Sequence, residues 1–372
     1  MKSLFEKREI PHGSVVNILL ILVSILIALL IGAVLIAVAG KNPIMAYQTL
    51  LDGAFKGYGL TNTLIKATPL LLAGLGMVIA FKAKIWNVGG EGQIYMGALA
   101  AAWVGLNLKV DSIWIHLPLS LLAGAIAGSL WALIPALLKV YFKVNEVITT
   151  LMLNYIAILL VSWLVHGPMQ EVGGFMPQTP RIADTSTLPL LFPPNRLHAG
   201  IVIAIILAVL VYFLLFYTTL GYNIRAVGAN PDAAEHGGIQ VNRNILLVMI
   251  LSGSLAGLAG ANEILGFHHR LLDGISPGYG FTAMVVALLG KLNPLLVIAS
   301  SFLFGSLYIG ANQMQRVMQV PIALSQVIQG LVVLCVLGTE ILLEYDFLPF
   351  RTLLTRLKLI KDKNQGQERL SD

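Results

Sequence analysis

Charged residues are scarce in this chain. Only 11% of its 372 residues are Asp, Glu, Lys or Arg, whereas 57% are hydrophobic. A soluble domain normally carries about 25% charged residues. The single cysteine, Cys335, excludes an intrachain disulfide and a cysteine cluster for a metal. The composition therefore argues against a water-soluble fold and favours a protein embedded in a lipid bilayer.

Sequence patterns for chemistry are also missing. No Gly-x4-Gly-Lys-Ser/Thr motif occurs, and the nearest match, Gly290-Lys291, is followed by Leu292. No predicted span contains a Ser/His/Asp grouping or paired carboxylates, so we expect no catalytic residues. His268 and His269 are adjacent and would point apart on a helix, so we expect neither a metal site nor a cofactor. The basic residues cluster at span ends and in the tail, which membrane topology explains better than nucleic-acid binding.

Long apolar runs are abundant. A window of about 19 residues predicts spans at 15–39, 62–81, 88–107, 114–138, 146–165, 198–220, 244–267, 294–312 and 322–343. The short apolar piece 281–289 is flanked by glycines. If it crosses or half-crosses the bilayer, about ten spans place both termini in the cytoplasm with most lysines and arginines. We therefore predict an all-α polytopic membrane protein whose tenth helix is short or re-entrant.

This topology divides the chain into three parts. Residues 1–14 form a cytoplasmic N-terminus, 15–343 the transmembrane domain and 344–372 a cytoplasmic tail. The basic start followed by the run 15–39 is similar to a signal peptide, but the run is too long for one and is interpreted as a retained span. Residues 166–197, rich in proline, form the external loop, and the remaining segments are read as short connections.

Two similar segments suggest an inverted repeat. Residues 74–105 and 253–290 each run from a helix of small residues through a polar, glycine-rich break into another such helix. In the predicted topology the first begins outside and the second inside. Inverted repeats place a substrate path at their interface, lined by broken helices.

The loop 221–242 is unusually polar and contains a predicted short helix. Asn230-Pro231 is a helix-start signal and Gly237-Gly238 a helix end. About two turns cannot cross a bilayer. A solvated connector is one interpretation. The defined ends and the apolar Ala233 and Ala234 favour instead a rigid element that docks on a partner.

Three segments, in order, carry a family resemblance. Residues 228–234 (GANPDAA) with Gly238-Ile239 and the glycine-rich helix 252–260 resemble the permease subunits of ABC importers. Residues 81–92 (FKAKIWNVGGEG) are similar to an element of the branch that handles ribose-type sugars, branched-chain amino acids and nucleosides. Residues 145–155 (NEVITTLMLNY) and Gly167-Pro168 resemble nucleoside-uptake permeases. The resemblance covers roughly residues 65–340. Asp232 stands where Glu is usual, and the Ile-x-Leu-Pro of maltose-type permeases is absent.

The resemblance implies a translocation path for a nucleoside, in the plasma (cytoplasmic or inner) membrane of a prokaryote. It also implies a coupling helix that docks on a separate ATPase subunit. The expected partners are ABC ATPase subunits, a second permease subunit (identical or sister), an extracytoplasmic substrate-binding protein and the lipid bilayer, with no nucleic acid. The alternatives are a permease for a simple sugar and a secondary transporter driven by an ion gradient. The residues assigned to coupling are Asn230, Pro231, Asp232, Ala233, Ala234, Gly237 and Gly238.

Intramembrane polar groups are costly and usually face a cavity. This rule assigns the substrate path to Asn87, Glu91, Asn154, Glu263 and Gln313, although amides also bridge helices. The GxxxG pairs Gly124–Gly128 and Gly253–Gly257 are assigned to close helix packing. The identity of the cargo and that of the partner permease stay open.

Overall fold

A computed structural model describes residues 5–7, 15–321 and, beyond these, 323–324, 326–328, 330–331, 334–335, 338 and 345–347. The chain divides into two units, residues 1–44 with 320–372, and residues 45–319. The smaller unit contains α1 (Val15–Val38) and two short antiparallel strands, β1 (Phe5–Lys7) and β2 (Tyr345–Phe347), with Glu6 paired to Asp346. The predicted span 322–343 falls largely outside the described residues.

The larger unit holds the helices between Pro43 and Met318. They are α2 (Pro43–Phe55, which begins two residues before the unit), α3 (Gly59–Lys82), α4 (Gly90–Asn107), α5 (Ile113–Phe142), α6 (Glu146–Val165), α7 (Gly200–Tyr217), α8 (Thr219–Ala229), α9 (Pro231–His236), α10 (Val241–Asn262), α11 (Tyr279–Leu289) and α12 (Pro294–Met318). A π-helical segment, Glu263–His268, extends α10, and a 3-10 turn forms at Asp184–Ser186.

Six helices of the described residues are long and apolar enough to cross a membrane: α3, α5, α6, α7, α10 with its π-helical extension, and α12. The count reaches seven if Leu26–Val38 and Pro43–Phe55 form one span. Helix α4 has 18 residues but is less apolar, and α11 has only 11 residues, about 16 Å against a hydrocarbon core of about 30 Å. The helical membrane fold is confirmed, with β1 and β2 as its only described strands, whereas the number ten stays a prediction.

Two connections are more structured than expected. Residues 43–55 are predicted as connecting chain and 221–229 as part of the polar loop, but they form α2 and most of α8. In α2 the small or apolar residues Ala46, Leu50 and Ala54 recur at every fourth position and are buried. Such spacing places them on one helical face, so α2 is an amphipathic helix, which a window averaged over 19 residues does not detect.

The outer helices expose their apolar side chains. Leu159 and Trp163 of α6 and Phe213 of α7 are each more than half exposed. Soluble monomers rarely present such large continuous apolar surfaces. These faces are therefore suited to contact lipid.

The interior of the larger unit is built around α10, which packs against α3, α4 and α5. Gly124 and Gly128 of α5 face Gly253 and Gly257 of α10, and a Cβ on Gly128 would lie 2.7 Å from the Cα atom of Gly257. The two backbones are thus in direct contact. Lys82, the last residue of α3, lies beside α8, which leads into α9. The end of the unit that contains Lys82 is called the α9 end. The opposite end, which contains the N-terminus of α3, is called the distal end.

The loop between α6 and α7 is ordered at the distal end. The backbone N–H of Ile182 donates to the carbonyl oxygen of His269 at 3.0 Å, and that of Asp273 donates to Pro177 at 3.1 Å. An ion pair joins Arg270 to Glu171. The loop is therefore fastened to the segment that connects the π-helical turn to α11.

Candidate functional site

The polar residues of the break between α3 and α4 form a closed network. The Asn87 amide nitrogen donates to Ser252 Oγ at 2.9 Å and to Gln93 Oε1 at 3.1 Å, and Asn87 Oδ1 accepts from Gln93 at 2.9 Å. The Gly89 N–H also donates to Asn87 Oδ1. Asn87 is fully buried. These hydrogen bonds allow Asn87 to hold the break in a fixed conformation against α10.

Asn154 secures the same break from α6. Its Oδ1 accepts from the Gly92 N–H at 2.8 Å, and its amide nitrogen donates to the Val88 carbonyl at 2.9 Å. Backbone groups freed where a helix is interrupted must be satisfied inside the protein, because the bilayer core offers no water. Asn154 therefore supplies hydrogen bonds that the broken helix lacks.

Glu91 joins the two broken regions. It lies in the first turn of α4, and its Oε2 accepts from the Gly280 N–H in the first turn of α11 at 2.7 Å. A Cβ on Gly280 would lie 2.6 Å from the Glu91 Cα atom, so the two helix starts touch. Each helix N-terminus carries a partial positive charge. One carboxylate thus sits between two positive helix ends and compensates both.

Glu263 lies elsewhere, at the start of the π-helical segment. Its Oε2 is 3.2 Å from Lys66 Nζ of α3 and 3.4 Å from His268 Nε2. Glu263 is 1% exposed, and its Oε1 has no hydrogen-bond partner among the described residues. The Lys66 ammonium also lies 4.4 Å from the centre of the Phe267 ring. π-Helical turns are frequent at functional sites.

His198 packs behind this turn, two residues before α7. Its Nδ1 accepts from the Gly200 N–H at 3.2 Å, and its ring lies against Gly266. Burial lowers the pKa of His198 to about 4, and the nearby Glu263 opposes this only in part. The imidazole is therefore neutral at physiological pH.

Gln313 is separated from the other predicted path residues. It is half-buried on α12, where it packs against Gly53 of α2. It lines a cavity of about 460 Å³ at the distal end together with Asn62 and Arg316. The structure thus brings Asn87, Glu91 and Asn154 together at the helix break, whereas Glu263 and Gln313 lie in two other places.

The predicted short helix exists with the expected ends. Helix α9 runs Pro231–His236 after its cap Asn230, whose Oδ1 accepts from the N–H groups of Asp232 at 3.0 Å and Ala233 at 3.2 Å. Gly237 follows the last helical residue, and Gly238 has φ +84°, a value that favours glycine. Every residue from Asn230 to Gly238 is exposed except Ala234, which is 6% exposed.

Helix α8 links α9 to the transmembrane helices. Gly228, near its C-terminus, packs so closely on the Lys82 carbonyl that a Cβ there would overlap the oxygen, and that atom belongs to the last residue of α3. Arg225 of α8 and Lys82 lie 5.3 and 5.8 Å from the centre of the Phe216 ring. Helix α8 therefore connects α9 to the end of α3, five residues before Asn87.

A cleft of about 550 Å³ opens beside α9. It is lined by Pro231, Asp232 and Glu235 of α9, by Arg243 of α10 and by Tyr141 of α5, among others. Its walls thus come from α5, α9 and α10, and α9 forms one side of the cleft. Such a cleft can receive a protruding segment of another protein.

The chain matches a known family over most of its length. The family model for the permease component of branched-chain amino acid transport systems matches residues 59–337. The chain belongs to this family. The match extends from the start of α3 past the end of α12, so it includes the helix break, the π-helical turn and α9.

Curated relatives have the same size and type. The permease is 37% identical to a glucose ABC transporter permease of Haloferax volcanii, over 87% of each chain. It is 36% identical to a guanosine ABC transporter permease of Bacillus subtilis, over 86% of this chain and 93% of the relative. A nucleoside ABC transporter permease of Lactococcus lactis is 32% identical over 80% and 85%. The chain is therefore an ABC transporter permease, a membrane-spanning transport component.

Among solved structures, a metal-chelate type ABC transporter in an inward-facing conformation is 15% identical, with a TM-score of 0.45 over 79% of this chain and 96% of that one.

Three partners in the networks above were not anticipated. Gln93 and Ser252 complete the bonds of Asn87, and Lys66 pairs with Glu263. Lys66 and Gln93 leave a signal in the sequence, as a cation and an amide inside predicted spans, whereas Ser252 leaves none.

Proposed function

We propose that this permease forms the translocation path for a nucleoside and that α9 couples it to a separate ATPase. The remaining partners are a second permease subunit and an extracytoplasmic binding protein. The observation that carries the coupling proposal is α9 itself, a capped, exposed helix seated beside a cleft and joined to α3 through Gly228. In this proposal α9 and both termini are cytoplasmic, and the distal end faces outward.

The mechanism follows from the contacts along the chain. ATP binding displaces α9, and α8 transmits the motion to Lys82 at the end of α3. The break that follows is fixed by Asn87 and Asn154, so the α4 N-terminus moves with it. Glu91 then carries the movement to the start of α11. The proposal thus assigns Asn87, Glu91 and Asn154 to transmission of the motion, as well as to the edge of the path.

Ala233→Arg tests the coupling. Ala233 is exposed, so the substitution changes the face of α9 without disturbing its packing, whereas Ala234 is buried and unsuitable. Ala183→Arg is the matched control, because Ala183 is also exposed but lies in the distal loop. We expect the ATPase to co-purify with Ala183→Arg and not with Ala233→Arg, at equal membrane levels. Normal co-purification of both variants would remove α9 from the interface.

The nucleoside assignment rests on relatives. Permeases named for guanosine and for nucleosides match most of the chain, but the glucose permease at 37% identity supports a simple sugar as the second candidate. The experiment is uptake into proteoliposomes that contain the permease complex and its binding protein. We expect labelled guanosine to accumulate and unlabelled guanosine, but not glucose, to compete. Accumulation of glucose alone would replace the nucleoside with the sugar.

The energy source separates this proposal from a secondary transporter. An ATP-driven importer loses uptake when vanadate blocks the ATPase, and it keeps uptake in a protonophore when ATP is supplied. Loss of uptake only with the protonophore would favour the ion-driven alternative.

A further inference from the structure

Two helices at the distal end carry the same polar pattern. Tyr58, which precedes the first residue of α3, and Asn62 and Lys66 within α3 are spaced by four residues. On α12 the matching residues are Tyr308, Asn312 and Arg316. Residues spaced by four lie on one face of a helix. Each helix thus presents a tyrosine, an asparagine and a cation in a row.

The two rows face each other in opposite directions. Gly305 of α12 packs against Thr63 and Ala67 of α3, whereas Val297 packs against Gly74. The later residue of α12 therefore lies beside the earlier residues of α3, so the two helices are antiparallel. This register places Tyr58 near the level of Asn312, and Asn62 near that of Tyr308. Arg316 and Lys66 then lie at the two ends of the arrangement.

A cavity of about 510 Å³ lies between these rows. All six residues of the two rows line this cavity, together with Phe267 of the π-helical turn and Arg196 of the distal loop, among others. Binding sites for small molecules typically measure about 300–1,000 Å³ and combine an apolar lining with a few polar groups. The cavity lies within this size range, and its lining is mixed, since Ile65, Ile309 and Phe267 alternate with the polar groups.

The polar groups of the two rows are available to a ligand. The side chains of Asn62, Asn312, Tyr58 and Tyr308 make no hydrogen bond to the described part of the protein. Lys66, in contrast, is neutralised by the buried Glu263, and its ammonium group lies beside Phe267. An ammonium group has three N–H donors, so donors remain for a ligand although the charge is compensated. Behind this site, the Glu263 Oε1 and the Tyr279 hydroxyl are buried without hydrogen-bond partners in the described residues.

From this arrangement we propose that the cavity between α3 and α12 is a binding site for a cargo that bears hydroxyl groups and a planar ring. The two amides bind its hydroxyl or base-edge groups, and the tyrosine rings, with Phe267, contact its flat face. Amides both donate and accept hydrogen bonds, which suits ribose hydroxyls, and aromatic rings pack against planar groups. The inference rests on the proposed function and deepens it, since it places the cargo at the distal end before it meets the helix break.

Substitution of the two amides tests the site. Asn62→Leu and Asn312→Leu keep the side-chain volume and remove the hydrogen bonds; Asn62 is exposed and Asn312 half-buried, so folding is expected to survive. Asn107→Leu is the control, since Asn107 is exposed at the distal end of α4 and outside the cavity. We expect each cavity variant to raise the KM for guanosine uptake about tenfold, because a lost pair of hydrogen bonds is worth about that factor. ATPase co-purification and the control should be unchanged.

A second measurement needs no variant. Photoactivated 8-azidoguanosine, bound to the wild-type complex, should label peptides that contain residues 58–66 or 308–316. Wild-type KM values in both asparagine variants, with labelling only elsewhere, would overturn the site. If the wild-type complex carries glucose and not guanosine, the nucleoside proposal fails. The cavity assignment then stands or falls on whether the same two variants weaken glucose uptake.

Discussion

Replacing Lys66 by methionine leaves the Glu263 carboxylate without its closest positive partner. The ion pair measures 3.2 Å, and its side chains are 13% and 1% exposed. Among the described residues, His268 at 3.4 Å is the remaining ion-pair partner of the carboxylate. Methionine has a similar length and a high helix propensity, so α3 itself is preserved. The variant therefore isolates the electrostatic effect.

The expected magnitude is large and asymmetric. Removing one partner of a buried ion pair costs about 3–5 kcal/mol, because the other charge stays buried without compensation. Glu263→Gln should cost less than Lys66→Met, since the orphaned ammonium lines a cavity and can be hydrated. The double variant Lys66→Met/Glu263→Gln should recover much of the loss. Lys56→Met is the control, because Lys56 and Asp52 are 75% and 51% exposed, and exposed pairs contribute about 0–1 kcal/mol.

The assay is thermal unfolding of the detergent-solubilised permease, followed by fluorescence-detected size exclusion. We expect Tm to fall by roughly 4–6 °C in Lys66→Met. In the control it should change by roughly 2 °C or less. A double variant that is as unstable as the sum of the two single variants would refute the reasoning, because the charges would then be independent.

Other regions give further predictions. Gly257→Ala should destabilise the protein by about 1–3 kcal/mol through overpacking at the α5–α10 contact. Gly330→Ala, whose Cβ would meet no described atom within 4 Å, should not lower Tm in the same thermal assay, since alanine is the better helix former. Glu91→Leu should reduce uptake at least about tenfold by removing both the acceptor for the Gly280 N–H and the charge between the two helix ends. Glu91→Gln keeps the acceptor and loses only the charge, so its loss of uptake should be smaller; equal losses would contradict the role of the hydrogen bond. His198 has a pKa lowered to about 4 by burial, so its unfolded form binds more protons between about pH 6.5 and pH 4. Stability should therefore decrease as pH falls through that window, and His198→Asn should flatten the profile measured as Tm against pH.

Much of the architecture could be predicted from the sequence because lipid imposes a simple rule. Apolar runs of about 20 residues must be helices there, and predicted spans such as 146–165 and 294–312 correspond to α6 and α12. Helix α9 could be bounded because asparagine, proline and glycine act locally as start and stop signals. Amphipathic helices such as α2 were not predicted, since only one of their faces is apolar and the average over a window stays low.

The candidate site was harder to predict, because its geometry depends on contacts far apart in the chain. Intramembrane polarity singled out Asn87, Glu91 and Asn154, which do meet at one helix break. It could not reveal that their partners include Ser252 and the Gly280 backbone, since those contacts span more than 150 residues of sequence. A partner that is a backbone N–H leaves no trace in the side-chain pattern.

The most direct measurement is photocrosslinking from the face of α9. A benzoylphenylalanine residue placed at Ala233, and separately at Ala183, would report which protein touches each end of the permease in native membranes. If α9 contacts the ATPase, we expect a crosslink from position 233 to the ATPase subunit and none from position 183. A crosslink to the ATPase from position 183 and none from 233 would contradict it.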